Sequence, residues 1–206
     1  MIAIIDYGVG NLFSLTASFK YLGADTVVTN KKEDIERADK IILPGVGAFE
    51  DAMKKLEATG LVETIKEQTA AGKPLLGICL GMQLLFEESH EYGIHKGLGL
   101  IKGTIASLDE DLKNAGIENL KVPHIGWNAL RFQEEEPLFS KIKQGDCVYY
   151  VHSFYGTDCE ASTIATSEYG VTVTGAVRSG SVYGTQFHPE KSGEVGLNIL
   201  RAFIAL

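Results

Sequence analysis

Short apolar runs alternate with amphipathic stretches through the first half of the chain. Ile2 to Ile5 reads as a strand stopped by Asp6. Leu12, Leu15, Phe19 and Leu22 then recur at helical spacing, with Asn11 placed to cap the helix and Gly23 to end it. Thr26 to Thr29 predicts a second strand, and Asn30 to Arg37 a short polar helix. Lys40 to Leu43 is a third strand, closed by Pro44-Gly45-Val46-Gly47. Helical patterns cover Phe49 to Leu56 and Leu61 to Ala71. Gly72-Lys73-Pro74 then feeds the apolar run Leu75 to Ile78, and a further helical pattern follows from Met82 to Phe86.

The second half is richer in strands. Asp146 to His152 alternates, with Val148, Tyr150 and His152 on one face. Ser162 to Ser167, Val173 to Arg178 and Val182 to Gln186 follow at short spacing, with glycines in the turns. They predict antiparallel pairs beside a parallel core. A closing helix over Val195 to Ile204 presents Leu197, Leu200, Phe203 and Ile204 as its apolar face. Glu134-Glu135-Glu136 reads as a solvated loop. The expected fold is therefore α/β. It has a mostly parallel central sheet with helices on both faces and extra antiparallel strands in the C-terminal half, as a single domain over residues 1–206. Ligands of such sheets bind beyond the carboxyl ends of the strands.

Composition narrows the function classes. A hydrophobic share of 45% supports a sizeable core, and the net charge of −8 argues against nucleic acid or an anionic membrane as partner. The cysteines Cys79, Cys147 and Cys159 are odd in number and lack disulfide-framework or zinc-site spacing. No apolar run approaches the ~18 residues of a membrane span, and the first residues lack the basic region of a signal peptide. A reducing, cytoplasmic setting is expected, with no metal and no cofactor.

Cys79 is the strongest candidate for chemistry. It stands in Gly77-Ile78-Cys79-Leu80-Gly81, between an apolar strand and a helical pattern. This is the thiol form of a nucleophile elbow, a sharp turn that holds a side chain over the sheet edge. The glycines are needed because a Cβ there meets neighbouring backbone. A helix N-terminus favours the thiolate, and the Leu80 N–H points where an oxyanion forms. A lone buried cysteine is more often a small core residue. The paired glycines and the strand-to-helix switch outweigh that reading.

A thiol nucleophile needs a base and a group to orient the base. His188-Pro189-Glu190 follows a predicted strand, and Glu190 is placed to accept the second imidazole N–H. Pro189 stops the ladder there. In Pro44-Gly45-Val46-Gly47 the glycines let backbone N–H groups turn toward an oxyanion, although alone this is an ordinary turn.

Gly-Ile-Cys-Leu-Gly-Met-Gln around Cys79, His188-Pro189-Glu190 downstream and the Gly-rich loop upstream together resemble the class I, triad-type glutamine amidotransferases. The resemblance spans essentially the whole chain. It implies that Cys79 attacks the glutamine amide, that His188 moves the proton and that Glu190 orients His188. It further implies oxyanion contacts from Gly47 and Leu80 and a substrate contact from Gln83. Four segments narrow the branch: Asp6 to Leu12, Val122 to Asn128, Tyr149 to Tyr155 and His188 to Ser192. They resemble the glutaminase subunits of imidazole glycerol phosphate synthase, of histidine biosynthesis. That likeness implies that Ser153 and Phe154 contact glutamine. It also implies that Trp127, Asn128, Tyr149 and Lys191 face a barrel-shaped cyclase in a heterodimer. The cyclase would take the ammonia and make imidazole glycerol phosphate and AICAR.

Other readings stay open at this point. A paralogous glutaminase for nucleotide-sugar amidination can share these motifs. A stand-alone cysteine γ-glutamyl hydrolase is a second class, against which the Val122 to Asn128 segment and Gln83 weigh. A non-catalytic interaction subunit fits less well with an intact Cys/His/Glu set. Gly8-Val9-Gly10 superficially matches a dinucleotide loop, but Phe13 stands where the third glycine belongs. Trp127 suits a core or an interface equally. His124 and His152 read as satisfied polar groups, and His90 and His95 as solvent-facing.

Overall fold

A computed structural model describes residues 1–132 and 135–206. The chain begins β1 (Ile2–Ile5), α1 (Leu12–Tyr21), β2 (Thr26–Thr29), α2 (Lys32–Arg37), β3 (Lys40–Leu43), α3 (Phe49–Ala58), α4 (Val62–Ala70) and β4 (Leu75–Ile78). It continues α5 (Leu80–Gln83), β5 (Phe86–Ser89), β6 (His95–Lys96), β7 (Ile101–Ser107), α6 (Leu108–Asn114), β8 (His124–Ala129) and β9 (Arg131–Phe132). The last elements are β10 (Cys147–His152), β11 (Phe154–Thr157), β12 (Thr163–Tyr169), β13 (Val171–Ser179), β14 (Val182–Thr185) and α7 (Gly193–Ala205).

An eight-stranded sheet runs in the order β2-β1-β3-β4-β14-β13-β12-β9. From β2 to β14 every pairing is parallel, and from β14 to β9 every pairing is antiparallel. Strand alternation divides the core between its faces. Ile2 and Ile4 cluster with Leu15 and Phe19 of α1 and with Ile199, Leu200 and Phe203 of α7. Ala3 and Ile5 cluster with Ile35 of α2, Phe49 and Leu56 of α3, and Ile65 of α4. The expected helices on both faces are present. Asn11 caps α1, its side-chain oxygen accepting the Ser14 N–H at 3.2 Å.

Several expectations need correction. The pattern from Met82 to Phe86 does not continue as a helix: α5 is one turn, and Phe86 opens a strand. The N–H groups of Leu98 and Leu100 take the carbonyls of Leu84 and Leu85, so long-range pairing claims that backbone. A separate four-stranded sheet, β11-β7-β5-β6, and a two-stranded one, β10-β8, stand beside the main sheet; of their strands only β10 was marked by alternation in the sequence. β14 is parallel to β4 as well as antiparallel to β13. In α7, Ile199 and Ala202 are buried, with Leu197 and Ile204 at the edge.

Glu134 lies outside the described residues. Glu135 is exposed, but Glu136 is buried, facing Arg178 Nη1 at 3.2 Å and accepting the Leu138 N–H. A solvated loop is therefore the wrong description of Glu136. His95 is also more enclosed than expected, with 19% of its side chain exposed. No helix among the described residues is long and apolar enough to cross a membrane.

Among the described glycines, the closest approach to an added Cβ lies between β3 and α5. A Cβ on Gly81 would sit 1.8 Å from the Leu43 carbonyl oxygen, with backbone rather than a flexible side chain in the way. Gly81→Ala is expected to lower stability by at least ~2 kcal/mol through overpacking, read from urea unfolding. An unchanged midpoint would show that this contact is not needed.

Candidate active site

Three neighbouring parallel strands deliver the candidate groups. β3 ends at Leu43 and leads into Pro44-Gly45-Val46-Gly47; β4 ends one residue before Cys79; β14 ends three residues before His188. β4 lies between the other two, in register Leu43↔Gly77 with β3 and Thr185↔Ile78 with β14. The Cys79 N–H extends the second ladder by donating to the Thr185 carbonyl at 2.7 Å. Residues far apart in sequence therefore leave the sheet at one edge.

Cys79 has φ 54° and ψ −112°, a conformation that costs a non-glycine residue ~1–3 kcal/mol. The surrounding glycines hold the turn in place. A Cβ on Gly77 would meet the Gly81 carbonyl at 2.7 Å, and one on Gly45 would meet the Gly81 nitrogen at 2.7 Å. The loop after β3 thus lies directly on the elbow. Because α5 is a single turn, its dipole at Cys79 is weak.

His188 Nδ1 pairs with Glu190 Oε1 at 2.8 Å, with side chains only 3% and 2% exposed. Burial alone lowers the imidazole pKa, but Cys79 and Glu190 together overcome that and raise it to about 9. The thiol is near enough to act on this charge, yet Nε2 has no hydrogen-bond partner in proper alignment.

A cavity of about 370 Å³ opens before these groups. Cys79, His188, Gly47, Leu80, Gln83, Ser153, Phe154 and Lys191 all line it, while Glu190 stands behind His188. Gly47 has φ 100°, with no heavy atom within 4 Å of where its Cβ would be. Gln83 uses its amide N–H groups on the Phe154 carbonyl at 3.0 Å and on Gln186 Oε1 at 3.1 Å. Its amide oxygen is the group left for a ligand.

The family profile described as Glutamine amidotransferase class-I matches residues 3–206. The chain belongs to the class-I glutamine amidotransferase family. It is 51% identical over 203 residues to a Bacillus cereus (strain G9842) protein called imidazole glycerol phosphate synthase subunit HisH, covering 98% of this chain and 93% of that one. A Bacillus licheniformis protein of the same name is 50% identical over 204 residues, covering 98% and 95%. A solved structure called glutamine amidotransferase superposes with a TM-score of 0.73 at 20% identity, covering 100% of this chain and 98% of that one. PurLQS from Thermotoga maritima gives 0.72 at 19%, covering 99% and 97%. At these identities the structural likeness shows the shared fold.

In this amidotransferase the remaining candidates lie outside the cavity. Trp127 is 57% exposed and therefore not a core residue; its ring stands 6.1 Å from that of Tyr149. Asn128 is turned inward, its amide donating to the Glu168 carbonyl at 2.9 Å and accepting the Ala129 N–H at 2.8 Å. Sequence reading did not mark Glu91 or Val151 and did not place His152 in the site, yet all three line the cavity. The Glu91 carboxylate also accepts the Phe49 N–H at 2.6 Å, at the start of α3. Gln186 was likewise missed; its amide donates toward Cys79 Sγ at 3.8 Å. No local pattern marks Glu91, because only the β5–β6 connection brings it here.

The His188 pKa lies above the ordinary 6.5, so this pair's stabilisation is full below pH 6.5 and is lost as pH rises through about 9. In an NMR titration His188 is expected to change charge near pH 9. Glu190→Gln is expected to move that change to lower pH. A His188 transition near 6.5 in the unaltered protein would contradict this electrostatic account.

Proposed function

We propose that this amidotransferase is a glutaminase that feeds ammonia to a cyclase subunit, as part of an imidazole glycerol phosphate synthase. The observation that carries the reading is the convergence of Cys79, His188 and Glu190 at adjacent strand ends, before a cavity that also holds Gln83 and Glu91. Glu91 offers a carboxylate to the α-ammonium of an amino acid, and Gln83 offers an amide oxygen.

Cys79 sulfur attacks the side-chain amide carbon of glutamine, with its proton held by His188. The oxygen of the tetrahedral adduct takes negative charge beside the Leu80 N–H and the Gly47 loop. The carbon–nitrogen bond breaks and the nitrogen leaves as ammonia, taking a proton from the His188 imidazolium. Water then attacks the thioester with His188 as base, which releases glutamate and restores the thiol. Glu190 keeps the imidazole oriented and supports its charge.

Ammonia released into water is protonated and loses its nucleophilicity, so a shielded transfer to a second protein is the economical route. Relatives at about half identity carry the word subunit in their names. Ile125 at 58% and Trp127 at 57% exposure, together with Tyr149, form an apolar surface suited to such a partner. Lys191 stands nearby at the cavity edge.

Cys79→Ala is expected to cut glutamine-dependent synthesis by the complex by at least ~1000-fold. Synthesis from ammonium supplied at high pH is expected to persist, because the cyclase carries out that step. Glutamate release that survives without Cys79 would overturn the mechanism.

A further inference from the structure

Two buried histidines that the reaction does not use form a hydrogen-bonded file beside the cavity. His152 on β10 lines the cavity, and His124 faces it across the β8–β10 pair. They are 5% and 2% exposed. His124 Nδ1 meets His152 Nε2 at 2.9 Å, and His152 Nδ1 meets the Phe154 carbonyl at 3.0 Å. At the outer end, Asn128 Nδ2 meets His124 Nε2 at 3.4 Å.

The chemistry at the two ends fixes every proton between them. A carbonyl can only accept, so His152 carries its proton on Nδ1 and leaves Nε2 as an acceptor. His124 must then donate from Nδ1, which leaves its own Nε2 bare. The outer end demands the same answer independently. Asn128 Oδ1 is held by the Ala129 N–H at 2.8 Å, so its nitrogen faces His124 as a donor. Both rings are thus neutral Nδ1–H tautomers, and every N–H points toward Phe154. Burial also lowers both pKa values, to about 4 for His124 and about 3 for His152. Tyr150 and Tyr169 stack on His124 at centroid distances of 4.8 and 4.0 Å and hold its plane.

The Phe154 carbonyl is where this file meets the site. It accepts from His152 and also from Gln83 Nε2 at 3.0 Å. Gln83 reaches on to Gln186, whose amide points at Cys79 Sγ. We propose that His124 and His152 are positioning residues: their one-way file holds the Phe154 peptide, and through it Gln83, in the orientation that receives glutamine. The assignment rests on the glutaminase reading above.

The test pairs two substitutions with a direct measurement of the protons. At pH 7, imidazole ¹⁵N spectra are expected to show protonated Nδ1 and bare Nε2 for both rings. His152→Asn places an amide nitrogen where Nδ1 sits, keeping the donor to Phe154. His152→Gln reaches the Nε2 position instead and loses that donor. With the chain mixed with its cyclase, His152→Gln is expected to raise KM for L-glutamine about tenfold, with kcat changed less. His152→Asn is expected to restore KM to within about threefold of the parent. Equal losses in the two variants, or an Nε2–H tautomer in either ring, would overturn the proposal. If neither variant folds, the spectra of the unaltered protein decide alone. An unaltered complex that releases no glutamate would defeat the glutaminase reading instead, with the tautomers still determined.

Discussion

The parallel pairing of β4 with β14 is the constraint on which the site depends. It sets Ile78 beside Thr185, so the next residues of both strands leave the sheet together. Cys79 is tied to that edge by its own N–H, while His188 arrives a few residues later from the neighbouring strand. β3 on the other side of β4 adds the glycine loop. The elbow can form only because Gly45, Gly77 and Gly81 let three backbones approach within the space of a missing Cβ. Strain at Cys79 persists because sheet pairing and this packing together leave the turn no alternative.

Three buried imidazoles near the cavity meet opposite electrostatic fates. His188 has a carboxylate at one nitrogen and a thiol near the other, and it holds positive charge to about pH 9. His152 has a carbonyl at one nitrogen and another imidazole at the other, and burial keeps it neutral. Burial alone acts in the same direction on both. The difference lies in what each ring faces, an anion in one case and a closed set of neutral partners in the other. One cavity can therefore hold a charge-bearing histidine and a neutral one side by side.

The smaller sheets build the wall opposite the elbow. β10 and β11 bring Val151, His152, Ser153 and Phe154 to the cavity, and the β5–β6 connection brings Glu91. Glu91 also binds the first N–H of α3, so the same carboxylate that faces the cavity steadies the helix after the glycine loop. The cavity wall opposite the elbow and the glycine loop are thereby tied into one unit.

Much was legible in the residues themselves. The four-residue strands β1, β2, β3 and β4 follow from apolar runs bounded by turn residues, and Asn11 from its cap position. Gly77-Ile78-Cys79-Leu80-Gly81 marks the sharp turn, because backbones packed this closely need glycine on both sides of the cysteine. His188 and Glu190, two residues apart, are close enough in sequence to be paired by reading alone. What required the tertiary structure was everything carried by distant backbone. Leu98 and Leu100 turned an apparent helix after Gln83 into a strand, Arg178 buried Glu136, and the β5–β6 connection delivered Glu91. Local pattern records which face a side chain takes. Register between remote strands, and the hydrogen bonds it allows, decide which faces meet.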